Sequence, residues 1–310
     1  MKALVNADYY RETFLDMPDG LEICFAEGKP LYSVKEMADH IQDFDILVIS
    51  SLFPLSNVLL DKASKLKLVC NLGAGFNNLD VRYARELGIT VCNTPDAVTQ
   101  STAEITLSLM LGLMRRTAET NHRIRSEKEA LWKYNLLTSR SLEGKTLGIV
   151  GMGKIGRRVA EMAAVFRMQV VYYNPHTEVP GYRRLPLGEL LKTADIVSLH
   201  VPLNEHTRHL IGKEELALMK PRAVLVNTAR GPVVDEQALV ECLQQGRIAG
   251  AALDVYEHEP HVPEALYSMD NVVLTPHIGG NTEETLHSMM ETAALNVKAF
   301  LQGSPLHVVN

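Results

Sequence analysis

The sequence predicts an α/β protein built as two domains. Short apolar runs alternate with helical patterns along most of the chain, which is how strands and covering helices of a parallel sheet read. The alternation breaks once, at Asn93-Thr94-Pro95-Asp96, and then resumes. At 310 residues the chain also exceeds the roughly 100–200 residues of a usual single domain.

In the first series, Ala3–Val5, Leu21–Phe25, Asp45–Ser50, Lys67–Asn71 and Thr90–Asn93 read as strands. Ser33–Ile41 and Val81–Leu87 carry helical periodicity between them, which implies right-handed βαβ units. Pro95 cannot extend a central strand, and the segment leads into one long helix expected from Thr102 to Arg125. That helix is apolar on more than one face over Ile105–Met114, so it is expected to be buried in a domain interface or against another subunit. The second series has strands at Thr146–Gly151, Gln169–Tyr173, Ile196–His200, Ala223–Asn227, Gly250–Asp254 and Val272–Thr275. Helices are expected at Ile155–Phe166, Pro186–Leu191 and Glu236–Gln245, and a last one, Thr282–Phe300, returns to the first domain. The expected division is 1–96 with 281–310, and 97–280, with a hinge at the crossings near Pro95 and Ile278.

Composition narrows the function classes. With 46% hydrophobic and 22% charged residues the chain reads as a soluble globular protein. A net charge of −6 argues against a nucleic-acid partner, while leaving room for a local basic pocket. Cys24, Cys70, Cys92 and Cys242 are scattered without a CxxC pair, so reduced thiols are expected rather than disulfides or a metal framework. The start, MKALVNADYY, is too short in apolar residues for a signal peptide. Ile105–Met114 has about half the length needed to span a bilayer. A cytoplasmic protein with no membrane partner is the expectation.

The strongest local signal is Gly151-Met152-Gly153-Lys154-Ile155-Gly156, set between an apolar strand and a helix with one apolar stripe. Gly151 permits a tight turn, Gly153 lets backbone approach a pyrophosphate, and Gly156 allows close helix–strand packing. The helix N-terminus then holds the anion. The turn therefore points to a nicotinamide dinucleotide. An acid at the end of the next strand would grip the ribose and repel a 2′-phosphate. This chain has Asn174 there, eighteen residues after Gly156, with His176, Arg183 and Arg184 downstream. The choice between NAD and NADP stays open on the sequence.

Three charged residues follow strands of the second series: Arg230, Glu259 and His277. Ligands of open α/β sheets bind at that edge, although an isolated Arg or Glu in a loop is more often surface charge. Glu257, His258, Glu259 and His261 lie close together, but their spacing matches no ordinary ligand pattern, and no metal is expected. His200, at a strand end before Val201-Pro202, reads as a hydrogen-bonded structural histidine.

Over essentially its whole length the chain resembles the D-isomer-specific 2-hydroxyacid dehydrogenases. The matching stretches are Asn71–Asp80, Asn93-Thr-Pro-Asp-Ala-Val98, Gly148–Gly156, Leu199-His-Val-Pro202, Val226–Gly231, Asp254–Pro260 and Thr275–Gly279. The resemblance implies a Rossmann-type cofactor domain, a flavodoxin-like substrate domain and an active site in the cleft between them. It implies hydride transfer between nicotinamide C4 and substrate C2. Arg230 would hold the substrate carboxylate and carbonyl oxygen, His277 would be the acid/base, and Glu259 would favour its protonated form. Ala74 and Gly75 would bind the carboxylate through backbone N–H groups. Besides Gly151, Gly153, Lys154, Ile155, Gly156 and Asn174, the implied cofactor contacts are Thr102, Val201, Pro202, Thr228, Ala229, Asp254 and Gly279.

Ser51, Leu52, Phe53 and Pro54 follow a first-domain strand and are expected near the substrate side chain, Phe53 foremost. The partner is then a small 2-keto or 2-hydroxy acid. The resemblance also implies a homodimer through the region of Ile105–Met114 and Trp132. Formate dehydrogenase is disfavoured because that branch pairs its histidine with glutamine where this chain has Glu259. A phosphoglycerate dehydrogenase-like enzyme, or a related NAD(H)-sensing binding protein, is the alternative.

Overall fold

The computed structural model describes residues 1–26, 32–127 and 138–310, and Trp132 lies outside them. The chain forms two compact units, Met1–Val98 with Gly280–Asn310, and Thr99–Gly279.

The first unit contains strands β1 (Lys2–Asn6), β2 (Glu22–Phe25), β3 (Ile46–Ser50), β4 (Leu68–Leu72) and β5 (Thr90–Asn93). They are all parallel in the order β2-β1-β3-β4-β5, the flavodoxin-like arrangement. Helices α1 (Val34–His40), α2 (Asn57–Lys62) and α3 (Val81–Glu86) lie in this part of the chain. Strand side chains alternate between two faces. Leu4, Leu47, Ile49, Val69 and Val91 pack with Met37, Leu59, Leu60 and Ala84 of those helices. Ala3, Val5, Val48, Leu68, Cys70 and Cys92 pack on the opposite face with Met289, Met290, Ala293, Ala294 and Val297. A strand buried on both faces has to be apolar throughout, which explains the continuous runs in the sequence.

The second unit begins with α4 (Thr99–Met114) and α5 (Thr117–Glu127). Its sheet is formed by β6 (Thr146–Val150), β7 (Gln169–Tyr173), β8 (Arg183–Arg184), β9 (Ile196–Leu199), β10 (Val224–Asn227), β11 (Gly250–Leu253) and β12 (Val272–Leu274). The order β12-β11-β10-β9-β6-β7-β8 is the Rossmann order with a seventh strand added. Helix α6 (Lys154–Val165) joins α4 on one face, over Leu147, Ile149, Val224, Val226 and Ala252. The other face, including Val197, Leu199, Leu225 and Leu253, is covered by residues of α7 (Leu187–Thr193), α8 (Lys213–Leu218) and α9 (Glu236–Gln244). A short α10 (Glu264–Tyr267) precedes β12, and α11 (Glu283–Leu301) is the helix that packs on the first unit.

One expectation needs correction here. The helix expected from Thr102 to Arg125 is two helices, separated by Arg116 in the left-handed region (φ 55°). The Arg116 guanidinium forks onto Glu119 at 2.6 and 2.7 Å, and the Arg140 N–H donates to the Met114 carbonyl at 2.9 Å. These contacts satisfy groups at the helix break without a Gly or Pro to announce it. Within the apolar stretch Ile105–Met114, Leu107, Leu109, Met110, Leu113 and Met114 are buried in the core of this unit, with Ile105 and Leu111 partly buried against it. No helix among the described residues is long and apolar enough to cross a membrane.

Candidate active site

The glycine turn joins β6 to α6. Gly151 has φ 99°, and a Cβ there would stand 2.7 Å from the His200 carbonyl carbon. A Cβ at Gly156 would collide with the Gly151 carbonyl oxygen, so only glycine lets α6 pass this close to β6. Gly153 is different. It is the N-cap of α6, no side chain caps that helix, and nothing lies within 4 Å of where its Cβ would be. Open space at an uncapped helix N-terminus fits the pyrophosphate of a dinucleotide. Lys154 is exposed and Ile155 half-buried in the first turn.

Asn174, at the end of β7, accepts the Met152 N–H on Oδ1 at 2.7 Å, so its side chain braces the turn itself. Arg184 from β8 donates to the carbonyls of Asn174 (3.0 Å) and Pro175 (2.6 Å). It thereby holds this segment rather than standing free as a surface charge. His200 follows β9. Its Nε2 lies 2.9 Å from Ser198 Oγ, burial pushes its pKa down to about 3, and Nδ1 has no partner. Val201 is buried in the core, while Pro202 is exposed.

The catalytic candidates follow β10, β11 and β12. Asn227 shapes the first loop: its side chain accepts the Ala229 N–H at 3.0 Å and donates to the Arg230 carbonyl at 3.0 Å. Arg230 Nη1 donates to the Ala229 carbonyl at 2.7 Å, and burial lowers its pKa while Glu259 opposes the shift. Gly231 comes next, with no room for a Cβ against the Tyr256 carbonyl group. That contact presses the Arg230 loop onto the loop carrying Glu259.

His277 Nδ1 lies 2.7 Å from Glu259 Oε2. A carboxylate accepts, so Nδ1–H donates and Nε2 is left for other chemistry. The other Glu259 oxygen accepts the Tyr256 N–H at 3.0 Å. Burial alone would raise the Glu259 pKa, but His277, the Tyr256 N–H and Arg230 outweigh it, and the net shift is down. His277 adopts φ 54° and donates its N–H to the Asp254 carbonyl at 2.7 Å. The Asp254 carboxylate takes Thr275 Oγ1 (2.6 Å), the Ile278 N–H (2.9 Å) and the Gly279 N–H (2.8 Å). Asp254 thus holds the His277 loop. Thr102 Oγ1 donates to the Gly279 carbonyl at 3.3 Å, and Thr228 Oγ1 pairs with Thr106 Oγ1 at 2.8 Å. Ala229 is 9% exposed and packs in the core. Among the described residues, no group of His, Cys, Asp and Glu is arranged to hold a metal.

In the first unit the loop after β4 is tied by amides. Asn93 Nδ2 donates to the Ala74 carbonyl, and Asn71 Nδ2 to the Gly75 carbonyl, both at 2.8 Å. Asn78 Nδ2 donates to the Phe53 carbonyl and to Asn71 Oδ1, both at 2.9 Å. Phe53 is 6% exposed and packs in the core, whereas Leu52 is 58% exposed. Leu52 rather than Phe53 therefore presents apolar surface at this turn. Sequence reasoning missed the amide braces and Gly231; an asparagine beside a glycine loop was the available signal.

Residues 107–279 match the family described as D-isomer specific 2-hydroxyacid dehydrogenase, NAD binding domain. The chain is 41% identical over 284 residues to a glyoxylate reductase of Thermococcus litoralis, covering 88% of this chain and 86% of that one. It belongs to the D-isomer specific 2-hydroxyacid dehydrogenase family. The structure of a glyoxylate reductase from Paecilomyes thermophila superimposes with a TM-score of 0.90 at 34% identity, covering 100% and 98% of the two chains. An NADPH-dependent glyoxylate/hydroxypyruvate reductase from Sinorhizobium meliloti, in complex with NADP and malonate, has a TM-score of 0.86 at 31% identity, covering 99% and 96%. The protein is an NAD(P)-dependent oxidoreductase acting on the CH–OH group of 2-hydroxy acids, and the matching keto acids are the substrates of the reverse reaction.

Proposed function

We propose that the dehydrogenase works as a 2-keto-acid reductase with His277 as its general acid, Arg230 as its substrate anchor and Glu259 as the partner of the histidine. The observation that carries this reading is the 2.7 Å contact between His277 Nδ1 and Glu259 Oε2, with the Glu259 loop pressed against the one bearing Arg230. The nicotinamide, when bound, supplies the hydride that reaches substrate C2. The chain's own residues do the rest. Arg230 offers a forked donor to the substrate carboxylate and carbonyl oxygen, which draws charge onto that oxygen. His277 Nε2 delivers the proton the oxygen then needs, and takes it back in the oxidative direction. Glu259, kept ionised, offsets the positive charge on the ring. N–H groups of Ala74 and Gly75 are proposed to bind the carboxylate as well.

The glycine turn takes the pyrophosphate of either cofactor, and Asn174 places no repelling charge at the ribose. Both NADH and NADPH therefore belong in the assay. A cytoplasmic homodimer is part of the same reading, supported by the family resemblance and by four free cysteines.

The test is turnover of purified protein with glyoxylate, hydroxypyruvate and phenylpyruvate, each with NADH and NADPH, beside the His277→Ala variant. The variant should lose roughly two to four orders of magnitude in kcat, the usual worth of general acid–base catalysis, while binding cofactor normally. A near-normal rate at neutral pH would remove His277 from its role. Tight cofactor binding without turnover across the whole panel would favour a sensing protein instead.

A further inference from the structure

We propose that His209 and Glu257 form a second His–Glu dyad, a positioning pair that clamps together the loops carrying Arg230 and Glu259. The inference rests on the reading of His277 and Glu259 as the acid–base pair. Glu257 sits on the Glu259 loop, two residues earlier in the chain. Its Oε1 lies 2.7 Å from His209 Nε2, with Arg208 Nη1 at 4.0 Å. The Glu257 carboxylate is 15% exposed, while the His209 ring that meets it is 42% exposed.

The same histidine grips the other loop through its backbone. His209 donates its N–H to the Pro232 carbonyl at 2.8 Å, two residues beyond Arg230. It does so from the left-handed region, at φ 52°, a conformation a non-glycine residue holds only where its surroundings enforce it. The two loops already touch where Gly231 meets the backbone of Tyr256 and Glu257. A third hold comes from Glu236, at the start of α9, whose Oε1 accepts the Glu257 N–H at 3.2 Å.

This clamp reaches the chemistry by a short route. The backbone of Tyr256 adjoins Glu257, and its N–H donates to Glu259 Oε1, while Glu259 Oε2 holds His277. Loosening Glu257 would free the peptide that aims the Glu259 carboxylate. The charged and titratable groups around Glu257 are Arg208, His209 and Glu236, with His258 and His261 acting on Glu236. Neither His209 nor Glu257 has a part in proton transfer to substrate; both act through Glu259.

The experiment uses the whole protein and the variants His209→Ala, Glu257→Ala and His209→Gln. Three quantities are read: kcat against pH for keto-acid reduction, cofactor Kd by fluorescence titration, and Tm. Both alanine variants should lose about ten-fold in kcat, as expected for a slightly misplaced catalytic group. The pH at which the reduction rate falls should move down in both, because a less firmly held Glu259 favours protonated His277 less. Cofactor Kd should not change. His209→Gln, which keeps a donor for Glu257, should recover most of the rate. An unchanged kcat and pH profile in the alanine variants overturns the proposal, as does a lowered Tm with an unchanged profile. Glu259→Gln is the control. If its profile moves while those of the alanine variants do not, only the clamp is wrong. If Glu259→Gln leaves the profile in place, the acid–base reading fails and the clamp with it.

Discussion

Two glycine loops end central strands in the two units, and they are held in different proportions by close packing and by side-chain ties. In the second unit the turn Gly151–Gly156 depends on missing side chains: at Gly151 and Gly156 a Cβ would run into backbone. In the first unit the loop around Gly73–Gly75 also needs a glycine, at Gly73 (φ 131°), but it is tied in addition by side chains that are present. Asn71 and Asn93 take the carbonyls of Gly75 and Ala74, and Asn78 ties the loop to Phe53. A loop tied by its carbonyls can turn N–H groups outward. A loop made by close packing brings a helix N-terminus next to a strand end. Both solutions suit an anion, but they should fail differently when substituted.

The largest effect is expected where packing is tightest. Gly156→Ala must push α6 off β6, an overpacking cost of about 1–3 kcal/mol, and should lower both Tm and cofactor affinity. Gly153→Ala sharpens the contrast inside the same turn. Its φ is −79° and no atom lies within 4 Å of the new methyl group, so Tm should hold. Cofactor Kd should rise by about ten-fold or more, roughly 1.4 kcal/mol, if the methyl group stands where the proposed pyrophosphate site lies. Calorimetry and fluorescence titration of the pair separate the two roles. Equal losses of Tm in both variants would show that Gly153 serves packing and not a ligand.

Much of this was legible in the sequence because two-sided burial writes a strong signal. Leu4 and Val5, or Val224, Leu225 and Val226, must all be apolar when both faces of a parallel strand are covered. The break between α4 and α5 was not legible. It depends on Arg116 reaching Glu119 and on Arg140 reaching Met114, and such pairings leave no periodicity behind. The site divides in the same way. Arg230, Glu259 and His277 can each be picked out as a charged residue after a strand. Their arrangement cannot, since it needs a left-handed His277 held by Asp254 and a glycine at 231 that lets two loops touch. The Asp254 carboxylate adds to that hold by accepting from three donors of the His277 loop: Thr275 Oγ1, the Ile278 N–H and the Gly279 N–H.

A smaller effect is expected from the first unit. Asn93→Ala removes the donor to the Ala74 carbonyl and leaves that oxygen unpaired, a local cost of about 1–3 kcal/mol. If the N–H groups of Ala74 and Gly75 bind the substrate carboxylate, KM for the keto acid should rise about ten-fold. Cofactor Kd should not move, which is the reverse of Gly153→Ala. A changed cofactor affinity with an unchanged KM would mean the amide-tied loop does not serve the substrate.

The smallest effect concerns a polar brace of the packed turn. Asn174 Oδ1 accepts the Met152 N–H, and an aspartate has the same shape and can accept the same hydrogen bond. Asn174→Asp should therefore leave Tm close to that of the parent. What it adds is a negative charge at the end of β7, where the ribose of the cofactor is expected, and a 2′-phosphate would meet that charge directly. At a few ångströms in a partly solvated site, two such charges repel by about 1 kcal/mol or more. The ratio of kcat/KM for NADPH over NADH should fall by several-fold, with the change carried by the NADPH arm. Arg184, which donates to the carbonyls of Asn174 and Pro175, keeps the segment in place, so the shift should come from charge and not from rearrangement. An unchanged ratio would place the ribose elsewhere and reduce Asn174 to a brace of the glycine turn.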